Sequence, residues 1–268
     1  MDVGDWATED PVDLRAAYDA ERLPLASYAP DDVRVEDDVR SGLEGCLCFC
    51  PTDPLPEPVL YFHGGGWMVG SPETHRGLCA WLAKLTHRRV VSAPYPLAPE
   101  NPWPAQADSA GARFEALSAL EGRVFTAGDS AGAAMALWAA ADDARAAGVL
   151  AFYPAFGVTS SPSINRYGPL SPSLNAAAIQ RMYDHLQATG GDLQGRVPRS
   201  GAPVLILAAA LDPLHDDAAA LFDHLEERDV TFHEVDGQDH AFLHDACQED
   251  APARLWMVRA GSWMTAKG

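Results

Sequence analysis

Positive charge is scarce in this sequence. Lysine and arginine together number 19 against 38 aspartate and glutamate residues, so the formal net charge is −19 at pH 7. Only Lys84 and Lys267 are lysines. A surface with this excess of negative charge repels nucleic acid and anionic lipid, and we therefore expect neither as a partner.

Long apolar runs are also missing. No run of eighteen apolar residues occurs, which excludes a helix that spans a membrane. The first residues, Met1 to Asp5, lack the basic and apolar regions of a signal peptide. We therefore expect a soluble, cytoplasmic protein without a membrane partner.

Cysteine is too sparse and too unevenly spaced for a disulfide framework or a zinc site. The five cysteines include Cys46, Cys48 and Cys50, which alternate and would share one face of a strand. Their spacing lacks Cys-x-x-Cys, and no nearby histidine pair completes a metal site. We expect apolar packing for these thiols, no structural disulfide and no bound metal.

The length and the apolar content predict one globular domain. A chain of 268 residues with a hydrophobic fraction of 47% can bury one large core, and no internal repeat is visible. We therefore take residues 1–268 as a single domain.

A strand, a sharp turn and a helix are predicted around Ser130. The apolar run from Val124 ends in Gly128-Asp129-Ser130-Ala131-Gly132, and an alanine-rich helix is predicted from Ala131 to Ala147, closed by Gly148. The pattern Gly-x-Ser-x-Gly is that of a nucleophile elbow, in which a strained turn exposes the serine hydroxyl. Alone the pattern is a modest signal, because glycine and serine are common in ordinary turns.

Strands and helices alternate along most of the chain. Besides the strand before Ser130, the predicted strands are Val33–Val39, Leu43–Cys50, Val59–Phe62, Val90–Ala93, Gly148–Tyr153, Val204–Leu211 and Val230–Val235. The predicted helices are Asp13–Glu21, Leu78–Thr86, a helix from about Trp103 to Leu120, Asp216–Arg228 and Ala251–Thr265. Pro51, Pro54, Pro56 and Pro58 are expected to form a stiff connector outside the sheet. The alternation predicts an α/β sheet with helices on both faces.

Four chemically distinctive features follow strands of this sheet: Ser130, Asp212, His240 and the segment His63-Gly64-Gly65-Gly66-Trp67. Catalytic groups in α/β sheets sit on loops at the carboxyl ends of strands. Backbone N–H groups of a glycine loop can stabilise an oxyanion, although a phosphate loop or a plain turn also uses such glycines. No Gly-Lys-Ser/Thr follows, which weakens the phosphate interpretation and predicts no nucleotide cofactor.

Serine needs a base and a group that orients the base. His240 follows the last strand, on a loop that could reach Ser130, whereas His63 is better placed to shape the glycine loop. Asp212 ends an apolar strand, where an unpaired carboxylate would be costly. Its rivals as the orienting acid are Asp216, Asp217, Asp236 and Asp239.

The segment Ala155–Ser200 interrupts the alternation. It is rich in serine, proline, glycine and asparagine, with one predicted amphipathic helix at about Leu174–Gln187. An excursion of this length is usually functional, for example as a lid. We expect residues 1–30 and 155–200 to form a cap over the site.

The chain resembles the hormone-sensitive lipase family of carboxylesterases from about Val59 to Phe242. The resemblance rests on His63-Gly64-Gly65-Gly66-Trp67, Tyr95-x-Leu97-Ala98-Pro99-Glu100, Pro104-Ala105-x-x-Asp108, Gly128-Asp129-Ser130-Ala131-Gly132, Asp212-Pro213-Leu214 and His240-x-Phe242. It implies an α/β-hydrolase fold with a mostly parallel eight-stranded sheet. It also implies a catalytic triad of Ser130, Asp212 and His240 and an oxyanion hole formed by the N–H groups of Gly65, Gly66 and Ala131. The amino-terminal portion is shorter than is usual in that family, so the cap is expected to be reduced.

These observations predict a serine carboxylesterase that hydrolyses short-chain esters through an acyl-enzyme and needs no cofactor or metal. The alternatives are an amidase or lactonase with the same triad, or a ligand-binding protein on the same fold. The expected partner is a small-molecule ester. The sequence is compatible with a homo-oligomer and does not specify one.

Overall fold

The fold is built on one eight-stranded sheet. The computed structural model describes residues 5–141, 143–171, 173–187, 193–197, 201–226, 228–248 and 251–268. Within these residues the strands are β1 (Arg34–Asp37), β2 (Leu47–Cys50), β3 (Leu55–Phe62), β4 (Arg88–Ala93), β5 (Val124–Asp129), β6 (Ala146–Phe152), β7 (Val204–Ala209) and β8 (Val230–Val235). Their order in the sheet is β1-β2-β4-β3-β5-β6-β7-β8.

Most of the sheet is parallel. The pairs from β4 to β8 all run parallel, whereas β1 pairs antiparallel with β2 and β2 pairs antiparallel with β4. Short antiparallel strands can follow one another through a turn, but parallel neighbours need a crossover helix. The predicted mostly parallel eight-stranded sheet is confirmed.

Helices cover both faces of the sheet. They are α1 (Pro11–Arg22), α2 (Arg76–Thr86), α3 (Ala105–Glu121), α4 (Ala131–Ala140), α5 (Pro162–Tyr167), α6 (Ala176–Gln187), α7 (Leu193–Arg196), α8 (His215–His224) and α9 (Pro252–Lys267). Strand β3 shows how the two layers form, because Leu60 and Phe62 enter one hydrophobic cluster and Val59 and Tyr61 enter the other. Helices α3 and α4 pack together on the first side, and α2 and α9 on the second.

The expected proline connector is wrong in its second half. Strand β3 begins at Leu55 and contains Pro56 and Pro58. Leu55 pairs with Arg88 of β4, and the register of this pair of strands then shifts before Val59. Pairing of β3 with β5 begins only at Val59. Proline lacks only an N–H group, so it fits this irregular strand end, where the ladder does not require that donor.

The helix after Ser130 is shorter than predicted. It ends at Ala140, and Ala141 takes a left-handed φ of 32°. A turn at Asp143 follows, in which its carboxylate accepts the Arg145 N–H at 2.8 Å. Ala146 and Ala147 therefore lie in β6, and Gly148 pairs with Phe125 of β5 rather than capping a helix.

The excursion after β6 holds more helix than predicted. Besides α6, which matches the predicted helix, it contains α5, α7 and a 3-10 turn at Gly168–Leu170. Helix α5 begins at Pro162 after Ser161, whose side chain accepts the Ile164 N–H. These are recognisable start signals, but a helix of one or two turns has too little periodicity to be seen in sequence. Parts of the predicted cap (residues 1–4, 172, 188–192 and 198–200) lie outside the described residues.

The cysteines fulfil a packing role. Cys46 and Cys48 are buried, and the Cys48 and Cys50 sulfur atoms lie 3.4 Å apart on one face of β2. All five thiols are free. Among the described helices, none is both long enough and apolar enough to cross a lipid bilayer.

Candidate active site

The turn between β5 and α4 holds Ser130 in a strained backbone conformation. Its φ is 53° and its ψ is −120°, which is rare for a residue with a side chain. The Ser130 N–H donates to the Phe152 carbonyl of β6 at 2.9 Å, so the neighbouring strand fixes the turn. This geometry is the strained elbow that the sequence pattern predicts.

The two glycines of the elbow are required by close backbone approach. A Cβ atom at Gly128 would lie 2.1 Å from the Gly132 carbonyl oxygen. A Cβ atom at Gly132 would lie 2.1 Å from the Phe62 carbonyl oxygen. Strand β5, helix α4 and strand β3 therefore pack more closely here than any side chain allows.

His240 and Asp212 form a direct pair. The His240 Nδ1 atom lies 2.7 Å from the Asp212 Oδ2 atom, and the other carboxylate oxygen accepts the Leu214 N–H at 2.7 Å. Asp212 is 1% exposed. Because a carboxylate only accepts, Nδ1 carries the proton and Nε2 presents its lone pair.

The rival acids have other surroundings. Asp216 accepts the Ser163 N–H at 3.0 Å, and the buried Asp217 accepts the Phe156 N–H at 2.6 Å. Asp236 and Asp239 are exposed. The structure thus pairs His240 with Asp212, which is the acid that we expected from the sequence.

Ser130 and His240 line the same cavity, whose volume is about 540 Å³, together with Gly65 and Gly66 of the glycine loop. Asp212 is buried behind His240, and Ala131 is buried at the start of α4 behind Ser130. Four of the six residues predicted for the site therefore line one cavity, and the other two support it from behind. Their catalytic roles stay predictions.

The glycine loop lines this cavity and has N–H groups without an acceptor among the described residues. Gly65 and Gly66 have φ angles of 118° and 56°, and the Gly65 carbonyl accepts the N–H groups of Met68 and Val69 at 3.0 Å. Among the described residues no acceptor receives the N–H group of Gly65, Gly66 or Ala131. These three donors are therefore available to an anionic oxygen.

His63 shapes the glycine loop from below, as expected. Its Nδ1 donates to the Gly64 carbonyl at 2.8 Å, and its ring stacks on Tyr95 at a centroid distance of 4.2 Å. Burial lowers the pKa of His63 to about 3, with His75 adding to the effect. The ring is therefore neutral and contributes shape rather than charge.

Asp129 has a structural role that was not predicted from the sequence. Its Oδ1 atom accepts the Gly64 N–H at 2.9 Å and the Tyr61 hydroxyl at 2.6 Å. Burial alone would raise the pKa of Asp129, but His75 and the hydrogen bonds outweigh it, and the pKa lies below its ordinary range. The carboxylate thus ties the elbow to the glycine loop. A carboxylate at the end of a largely apolar strand was the signal that could have indicated this.

Much of the remaining cavity wall comes from two segments outside the sheet and its crossover helices. The first segment contributes Trp6, Tyr18, Glu21 and Arg22, and the second contributes Tyr167, Leu170, Ser171, Ser173, Leu174 and Met182. The Tyr153 ring packs edge-on against His240 at a centroid distance of 5.0 Å. No sequence motif marked these residues, because they are brought together only by the tertiary fold.

The sheet order, the elbow after β5 and the His–Asp pair after β7 and β8 define an α/β-hydrolase. A model of the family described as alpha/beta hydrolase fold matches residues 59–244. The chain belongs to this family.

Known relatives are esterases. An ethyl acetate hydrolase of Pseudomonas putida is 32% identical over 225 residues, which cover 75% of this chain and 70% of that protein. A hyperthermophilic esterase from the archaeon Pyrobaculum calidifontis superposes with a TM-score of 0.85 at 26% identity, over 98% of this chain and 93% of that one. An esterase from the bacterial hormone-sensitive lipase family shares the fold, with a TM-score of 0.83 at 23% identity over 97% and 92% of the chains. These matches confirm the predicted resemblance to hormone-sensitive-lipase-type esterases.

Proposed function

We propose that the protein is a serine carboxylesterase that hydrolyses short-chain esters. Ser130 is the nucleophile, His240 the base and Asp212 the acid that orients the base. The observation that carries the proposal is the His240–Asp212 pair on the cavity that Ser130 lines. The ethyl acetate hydrolase similarity supports a small ester as substrate and favours ester over amide or lactone hydrolysis.

The first half-reaction forms an acyl-enzyme. His240 Nε2 takes the Ser130 hydroxyl proton while the oxygen attacks the ester carbonyl carbon. Negative charge develops on the carbonyl oxygen, where the N–H groups of Gly65, Gly66 and Ala131 can receive it. Asp212 stabilises the imidazolium, which then protonates the departing alcohol.

The second half-reaction releases the acid by the same groups. His240 removes a proton from water, the hydroxide adds to the acyl carbon, and the Ser130 oxygen leaves with the proton held by His240. The N-terminal end of α4 lies at Ser130, so its dipole favours the anionic intermediate in both halves. No step calls for a metal or cofactor.

The cap, the location and the assembly are further parts of the proposal. Because both segments outside the regular fold line the cavity, we assign the cap to residues 1–30 and 155–200 of a single 1–268 domain. The free thiols of Cys48 and Cys50, with sulfur atoms 3.4 Å apart, suit the reducing cytoplasm. The net charge of −19 argues against nucleic acid as a partner. Size-exclusion chromatography with light scattering would decide between a monomer and a homo-oligomer.

A fluorophosphonate probe tests the proposal directly. We expect stoichiometric labelling of the purified protein, with the label on Ser130, and hydrolysis of p-nitrophenyl acetate that disappears on labelling. Ser130→Ala should prevent both. A folded protein that neither reacts with the probe nor hydrolyses esters would instead be a binding protein on the hydrolase fold.

A further inference from the structure

Three buried side chains converge beneath the elbow, outside the proposed triad. They are His75 at the start of α2, Asp129 at the end of β5 and His244 in the 3-10 turn Phe242–Cys247. A nitrogen of each histidine and a carboxylate oxygen lie within 4.8 Å of one another. The three residues are 0%, 2% and 5% exposed, respectively.

The hydrogen bonds of Thr74 fix the tautomer of His75. The Thr74 hydroxyl donates its single hydrogen to the Ser71 carbonyl at 2.8 Å. It lies 3.0 Å from His75 Nδ1 and can only accept there, so Nδ1 carries a proton. The other ring nitrogen, Nε2, lies on the side of Asp129.

This nitrogen faces a carboxylate oxygen. His75 Nε2 lies 3.5 Å from Asp129 Oδ1 and makes no hydrogen bond to any described residue. A buried imidazole nitrogen and a carboxylate oxygen this close together share a positive charge, which is a proton on the ring or a metal ion. His75 Nε2 is therefore a position where a metal ion can replace the proton.

His244 supplies a second imidazole to the same point. Its ring lies 4.7 Å from the His75 ring, centroid to centroid. A buried imidazole of this kind is a common ligand of zinc-class ions. Asp129 and His244 also line the cavity that holds Ser130.

We propose that His75, Asp129 and His244 bind a divalent transition-metal ion of the zinc class, and that filling this site slows the esterase. The binding half stands alone, whereas the inhibition half rests on the proposed function. Two imidazoles and a carboxylate are a common donor set for Zn²⁺ and leave a fourth position for water. Zn–N and Zn–O bonds of about 2.0–2.1 Å place tetrahedral ligand atoms roughly 3.3 Å apart, near the separation of His75 Nε2 and Asp129 Oδ1.

Occupation would disturb the catalytic residues through the ligands. Asp129 holds the Gly64 N–H, and His244 belongs to the turn that begins directly after His240 and Ala241. Drawing the three ligand atoms onto one ion pulls the glycine loop and the His240 loop towards it. The site is thus a means of inhibition and supplies no step of the hydrolysis.

Binding is tested with Zn²⁺ and Co²⁺ on the full chain after treatment with EDTA. We expect saturable calorimetric binding of one ion per chain and a visible Co²⁺ spectrum of four-coordinate intensity. His75→Gln and His244→Gln should each weaken binding by at least about tenfold, because each removes one of three ligands. His233→Gln, a change in an exposed histidine of β8, is the matched control and should bind as the wild type does.

Inhibition is measured in the same samples with p-nitrophenyl acetate. Zn²⁺ should lower kcat with the same midpoint as binding, and EDTA should restore it. The turnover of His244→Gln, compared with its own value without metal, should resist Zn²⁺ at concentrations that inhibit the wild type. The proposal is overturned by absence of saturable binding, by binding that both glutamine variants retain, or by a Zn²⁺ titration that leaves turnover unchanged or raises it. If His75→Gln does not fold, His244→Gln decides alone. Absence of all ester hydrolysis without metal would count against the proposed function, and the Co²⁺ spectrum would still test the site.

Discussion

Asp212 and His240 are 28 positions apart in the chain, yet the carboxylate Oδ2 and the imidazole Nδ1 lie 2.7 Å apart. The two residues follow adjacent strands, β7 and β8, so the sheet itself brings them together. Asp212 is buried, and its second carboxylate oxygen accepts a hydrogen bond from the Leu214 N–H. The pair is therefore rigid before any substrate binds.

Asp212→Asn should reduce kcat by on the order of 10⁴, because an amide in this position favours the wrong imidazole tautomer. The change is nearly isosteric, so circular dichroism and the thermal midpoint should stay close to wild type. Asp239→Asn is the matched control, since that carboxylate is exposed at the cavity and does not pair with His240. A severe effect of Asp239→Asn with a mild effect of Asp212→Asn would show that the acid is assigned wrongly.

Gly65→Ala should damage turnover through the oxyanion loop. A Cβ atom there would lie 2.3 Å from the Val69 carbonyl oxygen, and the φ of 118° disfavours any side chain. The loop must shift, and misplacing one oxyanion donor costs about 10²–10³ in kcat. Steady-state kinetics should show the loss in kcat rather than in KM.

Gly111→Ala serves as the control for that substitution. Gly111 lies inside α3, and a Cβ there would meet nothing within 4 Å. Alanine is the better helix former by about 1 kcal/mol, so this variant should be fully active and slightly more stable. If Gly65→Ala were as active as Gly111→Ala, the glycine loop would not be the oxyanion hole.

Asp217 should make stability fall as the pH rises. Its Oδ1 accepts the Phe156 N–H at 2.6 Å and the Tyr183 hydroxyl at 2.5 Å, which ties α8 to the excursion after β6. Burial raises its pKa to about 7, whereas the unfolded chain has the ordinary value of about 3.9. The folded state therefore binds the proton more tightly. The resulting stabilisation is complete below pH 4 and is lost as the pH rises to about 7.

The matched variant for this effect is Asp217→Asn, which mimics the protonated acid. Unfolding in urea at pH 4, where the stabilisation is still almost complete, should give similar stabilities for the two proteins. At pH 8 the asparagine variant should be the more stable, by on the order of 4 kcal/mol if the whole shift is expressed. Equal pH dependence in both proteins would mean that Asp217 stays ionised in the fold.

Much of the site could be predicted because its parts follow strands directly. Ser130, Asp212 and His240 are each within a few residues of an apolar strand, and parallel strands bring their carboxyl ends to one edge. The end of α4 could not be predicted, since the alanines up to Ala147 suit a helix and a buried strand equally. Ala146 and Ala147 belong to strand β6 because this segment pairs with β5. The local sequence does not show that contact.

The cluster of His75, Asp129 and His244 could not be predicted from the sequence either. His75 and His244 are distant from each other and from Asp129 along the chain, and nothing in their spacing indicates a common point. Arg22 and Glu21 likewise resemble ordinary charges at the end of a surface helix. Their place in the cavity wall depends on the position of α1 in the tertiary fold, which the local sequence does not show.

The cavity wall contains the charged residues Glu21 and Arg22, and we therefore expect a preference for short acyl chains. A methylene group gains about 0.8 kcal/mol only where apolar surface covers it. Glu21 Oε2 and Arg22 Nε are buried in the described structure without a hydrogen-bond partner. A hydrocarbon chain packed against these two atoms would leave them without a partner, which is costly.

We expect kcat/KM for p-nitrophenyl esters to peak among the shortest chains and to fall beyond the octanoate. Leu174→Ala should shift the peak to longer chains by enlarging an apolar part of the wall, whereas Leu120→Ala, on the exposed side of α3, should not. A rate in the wild type that still rises past the octanoate would show that a deep acyl groove exists and that the charged wall does not limit the chain.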